Sequence, residues 1–238
     1  MEKGTAMKTD KNVIKLDLNL LDSTVNQYFK NLSGIDATAV PEQYGDSVTE
    51  AQNRIRDNLN IYIVYKSDNI KEIGTEEVTL ENGMCYRGKM PAKILKDSVQ
   101  VISSVITLNG FQELMEEEED FLVQYFMDTW GSAYVEAAQA WMGKKLLEEL
   151  KAEEKSRTHL WSPGQYGFEL QNQKTIFALL SPEEVGCTLT KSCMMIPVKS
   201  GSGIMGIIDP DVKDLLLPCD FCPHGANCPS SKRGCAQL

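Results

Sequence analysis

The sequence predicts an α+β fold, a largely antiparallel twisted sheet flanked by helices. Three observations lead there. Helical and strand-like segments succeed one another without the regular alternation of a parallel βαβ fold. One long helical pattern runs from about residue 121 to 155. Two runs, Asn60 to Tyr65 and Val99 to Leu108, are rich in the β-branched and aromatic residues that suit strands.

The first dozen residues read as a loose arm. Leu20 to Leu32 carries Leu21, Val25, Tyr28, Phe29 and Leu32 at helical spacing, and Gly34 comes next as a cap. Asp46 to Leu59 reads as a second, weaker helix. Asn60 to Tyr65 is a strand; Val78 to Leu80 pairs nearby, with Glu81-Asn82-Gly83 as the turn. Val99 to Leu108 reads as a buried strand. In the long helix, Leu122, Tyr125, Phe126, Trp130, Ala133, Ala137, Trp141 and Leu146 recur mostly at three- to five-residue spacing. After Arg157 the chain turns irregular, with Ser162 to Gly167 as a turn-rich loop. Gln173 to Leu180 is a short helix. Ser181-Pro182-Glu183-Glu184 has capping-box spacing with Pro at the first helical position. Val185 to Leu189 and Ile204 to Ile208 read as strands. Residues 1–217 make one domain and 218–238 a cysteine-rich tail.

Composition narrows the function. The 238 residues are 42% apolar and 24% charged, an ordinary globular balance able to sustain its own core. The formal net charge of −10 argues against a nucleic-acid role, which needs a basic face to neutralise phosphates. The densest charge run, Glu116 to Asp120, reads as a solvated helix start. No apolar run approaches the roughly 20 residues that span a bilayer. The start, MEKGTAMKTDKN, has no apolar core of a secretory signal, so the expectation is a cytoplasmic protein with no membrane partner.

Three segments stand out. The long helix carries small residues, Gly131-Ser132-Ala133, leading to Glu136, which lets a backbone or a ligand approach closely. Ser162-Pro163-Gly164 is followed by Gln173 to Leu180. Gly186 to Ser192 is followed by Met195, Pro197, Ser200, Ser202 and Gly203. Each has a plain reading: Glu136 as a solvated helix residue, Pro163-Gly164 as a turn, Met194-Met195 as core packing, and His159 as a loop residue.

Taken together and in order, these segments resemble the activation domain of vitamin B12-dependent (cobalamin-dependent) methionine synthase and the short stand-alone proteins of that family. The resemblance covers about residues 120 to 208. It implies that Glu136 stands where a helix glutamate contacts S-adenosylmethionine. It also implies that Ser162 and Gly164 match a loop whose backbone wraps that ligand, with Tyr166 one place beyond the family's tyrosine. The arginine of that loop, which pairs with the ligand carboxylate, has no counterpart. Leu160 sits in its place, and Arg157 and His159 are close in sequence but not in register.

The tail adds a separate signal. Cys219, Cys222, Cys228 and Cys235 form a C-x2-C-x5-C-x6-C pattern. Four thiolates so close in sequence can complete a tetrahedral shell, which suits zinc or an iron–sulfur cluster. Unliganded thiols or a disulfide are the other readings, and His224 could replace one cysteine.

The resemblance implies a reactivation module. An oxidised corrinoid on a partner, a corrinoid protein or cobalamin-dependent methyltransferase, is reduced and trapped by a methyl group from S-adenosylmethionine. A flavodoxin- or ferredoxin-type protein supplies the electron. The chain is then at most a component of a methyltransferase system. The alternative is an accessory metal or iron–sulfur protein that docks on a corrinoid or one-carbon enzyme without binding S-adenosylmethionine. A purely structural subunit is a third reading.

Overall fold

The structure is a computed structural model that describes residues 10–223 and Cys228. Strand β1 (Asn12–Leu16) leads into a 3₁₀ turn, Leu18–Leu21, whose first turn is capped by the Asp17 carboxylate accepting from Asn19 N–H at 2.9 Å. Helix α1 (Asp22–Ser33) ends at Gly34, which takes φ 76° to close it. Helix α2 (Gly45–Asn58) runs into the long strand β2 (Asn60–Ile73). The hairpin of β3 (Glu77–Leu80) and β4 (Cys85–Arg87) precedes the short helix α3 (Lys89–Ile94). Then come β5 (Gln100–Asn109), α4 (Phe111–Glu116) and the 32-residue α5 (Phe121–Ala152). The last third holds β6 (Ser156–Arg157), α6 (Gln173–Leu180), β7 (Thr188–Leu189), β8 (Met195–Ile196), β9 (Ser200–Ile208) and α7 (Pro218–Phe221).

The main sheet runs β4-β3-β2-β5-β9-β6, with β1 also on β2, and its pairs are antiparallel as expected. Helices cover both faces, which explains why β5 is buried over its first nine residues and reads as a continuous run rather than an alternating one. Ile63, Ile106 and Met205 point to a core shared with α1, α2 and α5. Their neighbours Val64, Val105 and Ile204 point to a second core shared with α6, Trp161 and Phe168. Trp130 on α5 ties the first core together. Its ring stacks on Phe29 at 3.8 Å and its Nε1–H donates to Val48 O at 3.1 Å.

Several local expectations change. Strand β1 begins within two residues of the start of the described chain and takes up the end of the expected arm, pairing Asn12 with Tyr65 through Leu16 with Ile61. The capping box at Ser181 does not form. Ser181 is first needed to end α6, and it does so at φ 45°, outside the extended geometry of an N-cap. The next segment is a single 3₁₀ turn, Pro182–Val185. The strand expected at Val185 to Leu189 shrinks to Thr188–Leu189, because Gly186 at φ 79° breaks extended geometry before it. The long helix stops at Ala152, and Glu154 at φ 56° turns the chain into β6.

The acidic run is only partly a solvated helix start. Asp120 caps α5, accepting from Leu122 and Val123 N–H at 2.7 and 3.2 Å. Glu118 is instead buried and pairs with Arg54 on α2. Among the described residues, no helix is long and apolar enough to cross a membrane.

Candidate functional site

One side of α5 presents Val135, Glu136, Gln139, Met142 and Gly143, spaced so that they share a helix face. Facing them are the start of β9, Arg157 of β6, and the loop after it. Between them lies a cleft of about 1120 Å³. Tyr28 of α1 and Leu217 to Cys219 of the tail complete its rim. A volume of this order holds a drug-sized ligand.

The small residues of α5 serve the protein's own packing. A Cβ on Gly131 would meet Phe111 Cε2 at 2.7 Å, and Ala133, Ala137 and Ala138 are fully buried. Glu136, on the same helix, is exposed on the cleft wall. Its charge, after burial, helps to raise the pKa of the Tyr28 hydroxyl.

The loop is built by a ring of backbone bonds. Trp161 exchanges N–H···O bonds with Ile204 at 3.0 and 2.9 Å, which pins the loop to β9. Gly164 at φ 92° donates to Phe168 O at 2.6 Å, and Phe168 donates to Gln165 O at 2.8 Å. This ring sets Ser162, Pro163 and Gln165 against the cleft. Gly164 forms the turn behind them. Tyr166, at φ 49°, packs edge-on to Trp161 with ring centroids 6.3 Å apart, and its hydroxyl meets the Cys222 thiol. That hydrogen bond, burial and the charge of Cys222, Cys219 and Cys228 push its pKa up to about 12. The structure therefore brings Glu136 and Ser162 to the cleft and sends Tyr166 to the tail.

Two buried side-chain atoms on the cleft lining have no hydrogen-bond partner among the described residues, Ser202 Oγ of β9 and Gln173 Oε1 of α6. Most buried side-chain polar atoms are paired, so these two leave the lining able to hydrogen-bond a polar occupant. Leu160 also lines the cleft. Sequence reasoning passed over Gln139 and Tyr28, although Gln139 lies one helical turn beyond Glu136. The expected core packing of Met194-Met195 divides: Met194 is 58% exposed, whereas Met195 is half-buried, packs against the second core and also lines the cleft.

The tail docks beside this loop. Phe221 lies edge-on to Trp161 at 5.5 Å, and Cys219 reaches the cleft rim. Cys219, Cys222 and Cys228 carry no disulfide. Among the described residues, no three His, Cys, Asp or Glu side chains gather into a metal-binding group. Cys235 and His224 lie outside the described residues.

No family model matches the chain, and no curated protein matches it in sequence. Among solved structures, the chain is similar to one described as the crystal structure of the MetH reactivation domain bound to AdoHcy. The TM-score is 0.64 at 15% identity, over 89% of this chain and 82% of that one. The chain has a MetH activation-domain-like fold, and the likeness extends well beyond residues 120 to 208.

Proposed function

We propose, from a fold shared with the MetH reactivation domain, that this chain binds S-adenosylmethionine in the cleft and supports reductive methylation of an oxidised corrinoid carried by a partner methyltransferase. The observation that carries the reading is the cleft itself. Glu136 and the Ser162 loop, matched to ligand contacts by resemblance, border one space whose lining holds the orphaned Ser202 Oγ and Gln173 Oε1. A nucleoside with an amino-acid tail offers both donors and acceptors to such a lining.

Bound there, S-adenosylmethionine supplies a methyl group and leaves as S-adenosylhomocysteine. The chain's own part is positioning. The Glu136 carboxylate accepts hydrogen bonds from the ligand, the Ser162-Pro163 backbone borders it with Gly164 shaping the turn behind, and the helix wall keeps water from its buried side. Tyr166 braces the tail against the loop. The corrinoid comes on a partner, and a flavodoxin- or ferredoxin-type protein supplies the electron.

Calorimetric titration of S-adenosylmethionine into anaerobically purified protein tests this. The expected result is binding that weakens about tenfold or more in Glu136→Ala, the cost of one charge-assisted hydrogen bond. No binding by the intact chain would sink the proposal.

A second reading is favoured by Leu160 on the cleft and by the Cys222 thiol at the Tyr166 hydroxyl. In it, Cys219, Cys222, Cys228 and Cys235 hold zinc or an iron–sulfur cluster, and the chain docks on a corrinoid or one-carbon enzyme as an accessory protein. The donor set is all thiolate, which suits either. Metal analysis separates the versions: a colourless protein with one zinc per chain excludes electron delivery by the tail.

A further inference from the structure

We propose that Arg157 is the anion anchor of the cleft and takes the carboxylate of the bound ligand's amino-acid group. This rests on the reading of the cleft as an S-adenosylmethionine site and names a contact that the loop, with Leu160 in it, does not supply. Arg157 is 9% exposed and lines the cleft. Its Nε–H donates to Gly143 O at 3.0 Å and its Nη1 donates to Thr158 O at 3.1 Å. Both acceptors are neutral carbonyls, which orient the fork and leave its charge uncompensated.

No carboxylate among the described residues pairs with it, and burial alone is what lowers its pKa. The group still remains protonated at neutral pH. A buried cation without a counter-ion is rare in a folded protein, because desolvation penalises the charge unless an anion restores it.

The surroundings are shaped for this side chain. A Cβ on Gly143 would lie 2.9 Å from Arg157 Nη2, so glycine at that point of α5 makes its seat. Gly143 lies seven residues beyond Glu136, about 10 Å along the helix at 1.5 Å per residue. The cleft is thus bipolar, with an acid on one stretch of α5 and a seated guanidinium further along. A ligand with a carboxylate at one end of an elongated frame matches that polarity. A guanidinium also takes a carboxylate in two parallel hydrogen bonds, a geometry that lysine lacks.

The test compares S-adenosylhomocysteine with 5′-methylthioadenosine, which keeps the adenosyl thioether and lacks the amino-acid carboxylate. Intact protein should bind the first about tenfold or more tighter, as for one charge-assisted contact. Arg157→Gln should abolish that preference while leaving 5′-methylthioadenosine affinity within about twofold, and Arg157→Lys should restore part of it. Equal binding of the two by intact protein overturns the anchor and leaves the site reading standing; that comparison needs no variant, so a misfolded Arg157→Gln does not block it. A preference that survives Arg157→Gln, or a parallel fall for both compounds in a folded variant, also overturns it. Binding of neither compound by intact protein removes the site reading and the anchor together.

Discussion

Gly203 shows how single atoms set the cleft. A Cβ there would lie 2.6 Å from Leu160 Cδ1 and 2.8 Å from the Trp161 carbonyl oxygen, and the latter is backbone that cannot swing aside. The absent side chain is what lets the loop pin to β9. Gly203→Ala should therefore destabilise the fold by about 1–3 kcal/mol, the usual cost of overpacking, measured as a lower urea midpoint. It should weaken cleft binding as well, since the loop carrying Ser162 must move. At this scale the sequence was informative about identity and poor about direction. Glu136 and Ser162 were legible and reach the cleft. Tyr166 was legible as a residue, yet its positive φ and the Cys222 contact turn its hydroxyl toward the tail. Arg157 was visible, but nothing local reveals that its guanidinium crosses to Gly143.

Helix α5 is the element on which the site depends. It spans 32 residues, about 48 Å at 1.5 Å per residue, and buries residues around much of its circumference between the sheet and α1 and α2. Its length was legible because apolar residues recur through it and Asp120 supplies an N-cap. Its partners were not, because periodicity tells which residues are buried without telling against what. Trp130 is the clearest joint, stacked on Phe29 of α1 and hydrogen-bonded to Val48 of α2. Trp130→Ala should cost about 3–5 kcal/mol, the range for removing a buried large aromatic, and it also removes the indole bond to the Val48 carbonyl. Denaturant titration checks this. The short elements β6, β7 and β8, at two residues each, carry no periodicity that a sequence could display.

For the molecule as a whole, buried tyrosines link stability to alkaline pH. Burial raises the Tyr134 hydroxyl from 10.0 to about 12, and burial raises Tyr86 as well, although its bond to Ser103 opposes this. The unfolded chain releases these protons near pH 10 while the folded chain holds them. Between those values the unfolded state binds fewer protons, so stability falls as pH rises. The contribution is present in full below pH 10 and is lost toward pH 12. Urea midpoints measured from pH 8.5 upward should decline, and Tyr134→Phe should flatten that decline. An unchanged slope in Tyr134→Phe would show that this hydroxyl does not govern it.

The sequence by itself determined the α+β class, the principal helices and central strands, and the segments that border the cleft. Those features arise from local periodicity, turn chemistry and residue type, which are written along the chain. Only the tertiary structure decided which of the named residues meet. The antiparallel register of β5, β9 and β6 carries the loop after Arg157 to the face of α5, and the packing of α1 closes the rim with Tyr28. Some of these contacts join residues more than a hundred positions apart, as Val101 with Gly206, and their energy comes from burying shared surface that no single segment possesses.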